Sequence, residues 1–287
     1  MASMKDIKRR KESIQSTGQI TKAMKLVSTV KFQKARSRVE NARPYFDAMY
    51  AAVSEMLSKS ANIEHRYLKG SESLPKAVIV ITANRGLAGG YNSNVIKLVS
   101  SWGKTKKDMA VYAVGTKGRD YFAGRGYYIA QDYSEVINEP LYSDAMKIGR
   151  RVLDDFEDGK IGEIYLAYTE FKNTVVHEPK LIKLLPVTAE DTAPQIAEAF
   201  GGMQVTYEPS EEEVLDFIIP QYINSLIYGA LMESAASENG ARMTAMDNAS
   251  NNAEDIISEL TIKYNRARQG TITQELTEII AGANAIS

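Results

Sequence analysis

From Glu211 to Ser287 the chain holds a single proline, Pro220, and reads as one uninterrupted helix. Ser210 is placed to act as its N-cap, with Glu213 at the capping-box position three residues on. Glu211, Glu212 and Glu213 then fall in the first turn, where the helix dipole favours negative charge. At 1.5 Å per residue such a helix spans on the order of 110 Å, when an ordinary helix has about 11 or 12 residues. A helix of that length needs a partner along it.

The N-terminal segment is a candidate partner. Phe32, Ala35, Val39, Ala42, Phe46, Met49, Val53 and Met56 alternate in steps of three and four, the spacing of a coiled-coil seam. Upstream, Ile20, Ala23, Val27 and Val30 keep the spacing in a shifted phase, and Pro44 predicts a kink or local opening. Near the C-terminus Met246, Ala249, Ala253, Ile256 and Leu260 form a matching stripe. Charge supports the match: Met1 to Arg43 carries 12 Lys or Arg against 3 Asp or Glu, whereas Pro209 to Ser287 carries 4 against 12. The two stripes are expected to pack as an antiparallel, left-handed coiled coil. Self-pairing into a homodimer is the competing arrangement, which the charge segregation disfavours.

Between the helices the pattern changes. Lys76 to Thr82 is a β-branched run suited to a buried parallel strand, and it feeds the turn Arg85-Gly86-Leu87-Ala88-Gly89-Gly90. A helix is expected from Asn92 to Trp102, and a strand from Met109 to Val114 leading to a short helix ending at Phe122. A third strand is read at Tyr127 to Ala130 and a helix from Tyr142 to Phe156. A strand from Glu163 to Phe171 then turns into another from Thr174 to Leu185, an antiparallel hairpin at the sheet edge. The fold class is therefore α/β: a Rossmann-like domain, residues 75–190, inserted between a helix in 1–60 and a helix in 209–287.

Candidate chemistry is sparse. The glycine turn lies where a phosphate cradle belongs but lacks the G-x-G-x-x-G pattern, and Val114 runs into Gly115-Thr116-Lys117 with no acidic residue. Tight-turn geometry explains its glycines more simply. Gly103-Lys104-Thr105 imitates the end of a P-loop, but Leu98 stands where glycine is needed. With no cysteine and only His65 and His177, a transition-metal site is disfavoured. Asp154, Asp155, Glu157 and Asp158 read as a solvated helix end. Lys8-Arg9-Arg10-Lys11 lacks interleaved aromatics, so nucleic acid ranks below docking on an acidic protein surface. No run of 18 uninterrupted apolar residues exists, no signal core opens the chain, and no membrane insertion is expected.

Four segments resemble the gamma subunit of bacterial F-type ATP synthases. They are Gln19-Ile20-Thr21-Lys22-Ala23-Met24-Lys25-Leu26-Val27, Arg85 to Asn92, Ala241-Arg242-Met243-Thr244-Ala245-Met246-Asp247-Asn248-Ala249, and the run from Tyr264 to Gln269 continued by Ile272 to Ala283. The resemblance spans nearly the whole chain. It implies a central rotor stalk without an active site or cofactor of its own, at the cytoplasmic face of the cell membrane. Its partners would be the alpha and beta subunits of the catalytic hexamer, the epsilon subunit and the c-subunit ring. By the same resemblance, proton flow turns the ring and shaft, and the shaft drives the beta sites through ATP synthesis or hydrolysis. It assigns partner contacts to Lys22, Met24, Lys25, Arg242, Arg268, Gln269, Thr273 and Glu275, and to Tyr207 near epsilon and the ring. The tip from Ile279 to Ile286 would suit an apolar sleeve. The chloroplast branch's regulatory cysteine pair has no counterpart here. The rival is an α/β nucleotide-binding enzyme with its helices as dimerisation arms.

Overall fold

The computed structural model describes residues 4–59, 65–103, 105–173, 176–187 and 210–286. Its elements run α1 (Met4–Lys59), β1 (Lys76–Ile81), α2 (Tyr91–Ser100), β2 (Met109–Val114), α3 (Thr116–Gly124), β3 (Tyr128–Asp132), α4 (Tyr142–Glu157), β4 (Glu163–Phe171), β5 (His177–Leu185) and α5 (Glu211–Ile286). The chain divides into two compact units: Thr29–Ala241, here the sheet domain, and Met1–Ser28 with Arg242–Ser287, the helical pair.

The sheet domain is built on a five-stranded sheet in the order β3-β2-β1-β4-β5. Strands β1 to β4 are parallel to their neighbours, and β5 runs antiparallel to β4 as the expected edge hairpin. Every residue of β1 is buried because the strand is covered on both faces. Its side chains alternate accordingly. Val78 and Val80 pack with Val95, Val99 and Phe122 of α2 and α3, while Ala77, Ile79 and Ile81 join Val53, Ile148, Leu215, Ile219 and Ile223 of α1, α4 and α5. Each fully buried Ile or Val contributes about 1.5–3 kcal/mol of transfer free energy.

Helix α5 begins at Glu211, as its sequence signals predict, and the Glu213 backbone N–H donates to Ser210 Oγ at 3.2 Å. By length and composition it contains an 18-residue window able to cross a membrane, with hydropathy 1.2, yet half of that window is buried inside the protein. Leu215, Ile219, Ile223, Ile227 and Leu231 are core residues of the sheet domain. Pro44 lies inside α1, which continues through it from Met4 to Lys59. Pro44 and Glu40 both face solvent, so the carbonyl left without its helical partner can bond water. Around it, Phe46 packs edge-on to Tyr228, and Tyr50 on Tyr222, in an antiparallel sense.

In the helical pair α1 and α5 are again antiparallel. A Cβ built on Gly18 lies 3.4 Å from Ala253 Cβ, and the hydroxyls of Thr21 and Ser250 are 2.7 Å apart. The inward positions of α1 are Met4, Ile7, Lys11, Ile14, Gly18, Thr21, Lys25 and Ser28, all buried or half-buried. The 3-4 rhythm read from Phe32 onward therefore runs upstream in the same phase, carried from Gly18 to Ser28 by small and polar residues. The shifted apolar set does not form a seam: Ile20, Ala23, Val27 and Val30 point outward, with Val27 58% exposed. On α5, Met246, Ala253 and Leu260 are buried as expected, but Ser250 is buried more deeply than Ala249, and Ile257, not the exposed Ile256, continues the stripe.

Candidate functional site

In an open α/β sheet a ligand binds at the carboxyl ends of the strands, beside the point where the strand order reverses. Here that point lies between β1 and β4. Three backbone donors at these strand ends are already taken by side chains. Ala83 N donates to Asn92 Oδ1 at 2.8 Å, Thr116 N to Asn84 Oδ1 at 2.9 Å, and Gly118 N to Thr82 Oγ1 at 2.9 Å. Asn84 is itself fixed by its amide, which donates to the Ser134 carbonyl at 2.7 Å. Gly115, at φ 101°, is needed because a Cβ there would sit 2.0 Å from the Thr82 carbonyl oxygen.

In the turn from Arg85 to Gly90 only Ala88 is buried, and the other five residues are exposed. Ala88 and Tyr91 are buried with Ala83 against Ala241 of α5. Gly89 takes a positive φ of 54°, and so does Leu87 at 62°. The tight-turn explanation thus applies to Gly89 but not to Gly90, whose φ is −83°. At the end of β4, Ser234 and Ser237 of α5 bond the Thr169 backbone. The long helix thus packs against the carboxyl ends of β1 and β4, beside the place where the rival enzyme would bind its nucleotide.

No nucleophile, base and orienting group come together among the described residues, and no group of three or more potential metal ligands does. The strongly shifted titratable groups have structural causes. Burial, then a hydrogen bond to Asp155, raises the Tyr112 phenol; burial, then a bond to Glu157, raises that of Tyr67. Burial alone would raise Asp155, but bonds from Tyr112 and Lys160 and the charge of Arg151 outweigh it and hold the carboxyl below its ordinary range. Asp155 is thus the charged hub tying α4 to β2, not the solvated residue expected from its acidic neighbours.

The residues assigned to partner contacts fall in the helical pair, apart from Tyr207, which lies outside the described residues. Lys22 pairs with Glu254, and Lys25 with Asp247, each at 2.6 Å. Both lysines therefore face acidic residues of their own chain. Met24, between them, is half-buried. Arg242 is 9% exposed and sits in the interior, so it is not an outward contact. Arg268, Gln269, Thr273 and Glu275 are exposed on successive turns of α5, and Thr273 Oγ1 donates to the Gln269 carbonyl at 2.9 Å. Sequence reasoning passed over the outward apolar residues Leu26, Ile262 and Leu276, which are 69%, 56% and 54% exposed. Their signal is an apolar side chain off the seam phase.

Long helices that display exposed apolar residues, Leu26, Ile262 and Leu276 among them, beside exposed polar ones mark a structural subunit of an assembly. The ATP synthase family model matches residues 3–286. The ATP synthase gamma chain of Lachnoclostridium phytofermentans is 66% identical over all of both chains. Among solved structures, the central stalk and c-ring of the Tetrahymena thermophila mitochondrial ATP synthase contains a chain of similar fold, at TM-score 0.59 and 26% identity, covering 80% of this chain and 99% of that one. The Euglena gracilis mitochondrial enzyme has one at TM-score 0.69 and 18% identity, covering 99% and 94%. The chain belongs to the ATP synthase gamma-chain family, bacterial F-type branch. It is a stalk subunit of a membrane-associated complex and has no catalytic site of its own.

Proposed function

We propose that the chain is the rotor shaft that couples proton flow through a c-subunit ring to ATP synthesis and hydrolysis in an alpha-beta hexamer. In this reading the ring and an epsilon subunit lie at the sheet domain and Tyr207, on the cytoplasmic face of the cell membrane. Shaft orientation acts as a ligand: each beta conformation must bind one orientation better than the others, or no energy is transmitted.

The observation that carries this reading is the last stretch of α5. From Ile272 to Asn284 every residue is exposed, yet Ile272, Leu276, Ile279 and Ile280 recur at helical spacing. An apolar stripe on a charge-poor helix end calls for a surrounding apolar wall, against which it can turn without binding one angle strongly. Arg268, Gln269, Thr273 and Glu275 just before it are suited to hydrogen-bonding beta-subunit loops, Arg268 through its planar fork. Lys22 and Lys25 can also serve a partner, because exchanging an exposed intrachain ion pair for another carboxylate costs about 0–1 kcal/mol.

The test is Arg268→Ala combined with Gln269→Ala. The free chain should keep its stability within about 0.5 kcal/mol, as exposed substitutions do. Assembly with alpha and beta subunits, or ATP-driven rotation of a probe on the sheet domain, should be weakened. A probe that stays still in an active complex would exclude the rotor role, and micromolar nucleotide binding by the free chain would revive the enzyme reading.

A further inference from the structure

We propose that Glu233 of α5 and Glu170 of β4 hold one proton between them, and that losing it loosens the docking of α5 on the outer end of β4. Glu233 is half-buried, and no ion pair to it is present among the described residues. Its one direct polar contact here is the Phe171 backbone N–H, which reaches Glu233 Oε2 at 3.4 Å. Glu170 Oε1 is satisfied by Lys180 at 2.6 Å, but its Oε2 is buried with no hydrogen-bond partner. The charge of Glu170 acts on Glu233, whose carboxylate lies against the Phe171 N–H next in the chain, so two ionised carboxylates here would repel and leave Glu170 Oε2 unpaired. A proton on Glu233 removes the repulsion and supplies the donor that Glu170 Oε2 lacks.

The surroundings fit a proton better than a fixed cation. From α1, Arg43 acts on Glu233 at longer range, and Asp47 and Tyr50 line the same cavity. From β4 come Tyr168 and Glu170, from β5 Lys180, and from α5 itself Tyr222. The one nearby lysine is already committed to Glu170. Burial, then the charge of Glu170, raises the Glu233 carboxyl to about 7. The cavity beside Glu233, about 150 Å³ and partly open, gives the proton a way to bulk water and gives water room to hydrate the carboxylate left behind. The docking it would disturb is weakly held. Thr169 N to Ser234 Oγ, Ser237 Oγ to the Thr169 carbonyl and Phe171 N to Glu233 are all 3.4 Å long, at the outer limit for a hydrogen bond.

Because the folded-state value lies above that of an unfolded carboxyl, this contribution is complete at acid pH. It is lost as pH rises from the ordinary carboxylate range through about 7. The full chain and its Glu233→Gln variant, thermally unfolded between pH 5.5 and 8.5, provide the test. The wild-type midpoint should fall on the order of 5 °C further than the variant's across that range. Amide exchange at Thr169 and Phe171, corrected for intrinsic rate, should speed several-fold with pH in the wild type only. Infrared difference spectra should show a protonated-carboxyl band at pH 6 that Glu233→Gln removes. Equal pH slopes, or a band untouched by the substitution, would overturn the proposal. If Glu233→Gln does not fold, Glu170→Gln decides: the carboxyl titration seen in the wild type must move to lower pH, and an unmoved midpoint overturns the shared proton.

Discussion

The sheet domain and the helical pair are built on opposite rules. In the sheet domain β1 contributes six consecutive buried residues, and Ile79, Ile148, Leu166 and Leu215 are sealed from water. In the helical pair Gly18, Thr21, Ser28 and Ser250 are buried along with Met246, Ala253 and Leu260, while Ile20, Leu26 and Val27 lie more than half exposed. A small, hydroxyl-lined seam lets two backbones approach closely and joins them by hydrogen bonds. Among its described residues Met246 and Leu260 are the only large apolar side chains fully buried, so at about 25 cal/mol per Å² of apolar area it gains less than the sheet core. The lesson is that one region is finished by its own sequence, whereas the other keeps its apolar surface for neighbours.

Substitutions can sharpen or break that contrast. The largest effect is expected from Leu166→Ala, which opens a cavity in the middle of the sheet core and should cost about 2–5 kcal/mol in urea unfolding. Amide exchange should accelerate throughout the sheet domain. Little change there would mean that the core is not what holds the domain. Gly18→Val inserts a branched side chain where even a Cβ meets Ala253 at 3.4 Å, so a loss of about 1–3 kcal/mol is expected. Exchange should rise in residues 4–28 and 242–271 while the strands stay protected. Acceleration of both regions together would show that they unfold as one, and the contrast would fail. The smallest effect belongs to Lys22→Ala: its pair with Glu254 leaves both side chains 59% exposed, and about 0–1 kcal/mol is expected, vanishing in high salt.

The sequence made the sheet domain legible because its signals are local. A β-branched run must be a covered strand, and a serine followed by three glutamates must start a helix; both elements lie where those signals put them. The phase of the helical pair was not legible, for a physical reason. A hydropathy pattern marks apolar residues as inward, but here Gly18, Thr21, Lys25 and Ser28 hold the inward positions and Ile20 and Val27 the outward ones. Adjacent Ile256 and Ile257 present the same problem, since periodicity alone accepts either and the burial of Ser250 settles it. Arg242 read as a surface contact because a charged residue has no sequence mark of being enclosed. The hydrogen bonds that close the strand ends, and the Glu170–Glu233 pair, join residues far apart in the chain and become visible only once the sheet is folded.

The closed strand ends have a consequence for life inside an ATP synthase. Sheets of this topology are widely used to hold nucleotides, and the stalk works beside sites where ATP and ADP are abundant. Asn92, Asn84 and Thr82 occupy the amides of Ala83, Thr116 and Gly118, and Ala241 of α5 packs beside the turn, so these strand-end groups are committed to the fold itself. The side chains that tie these strand ends together thus do for the fold what a bound phosphate does in a nucleotide-holding sheet: they satisfy the amides.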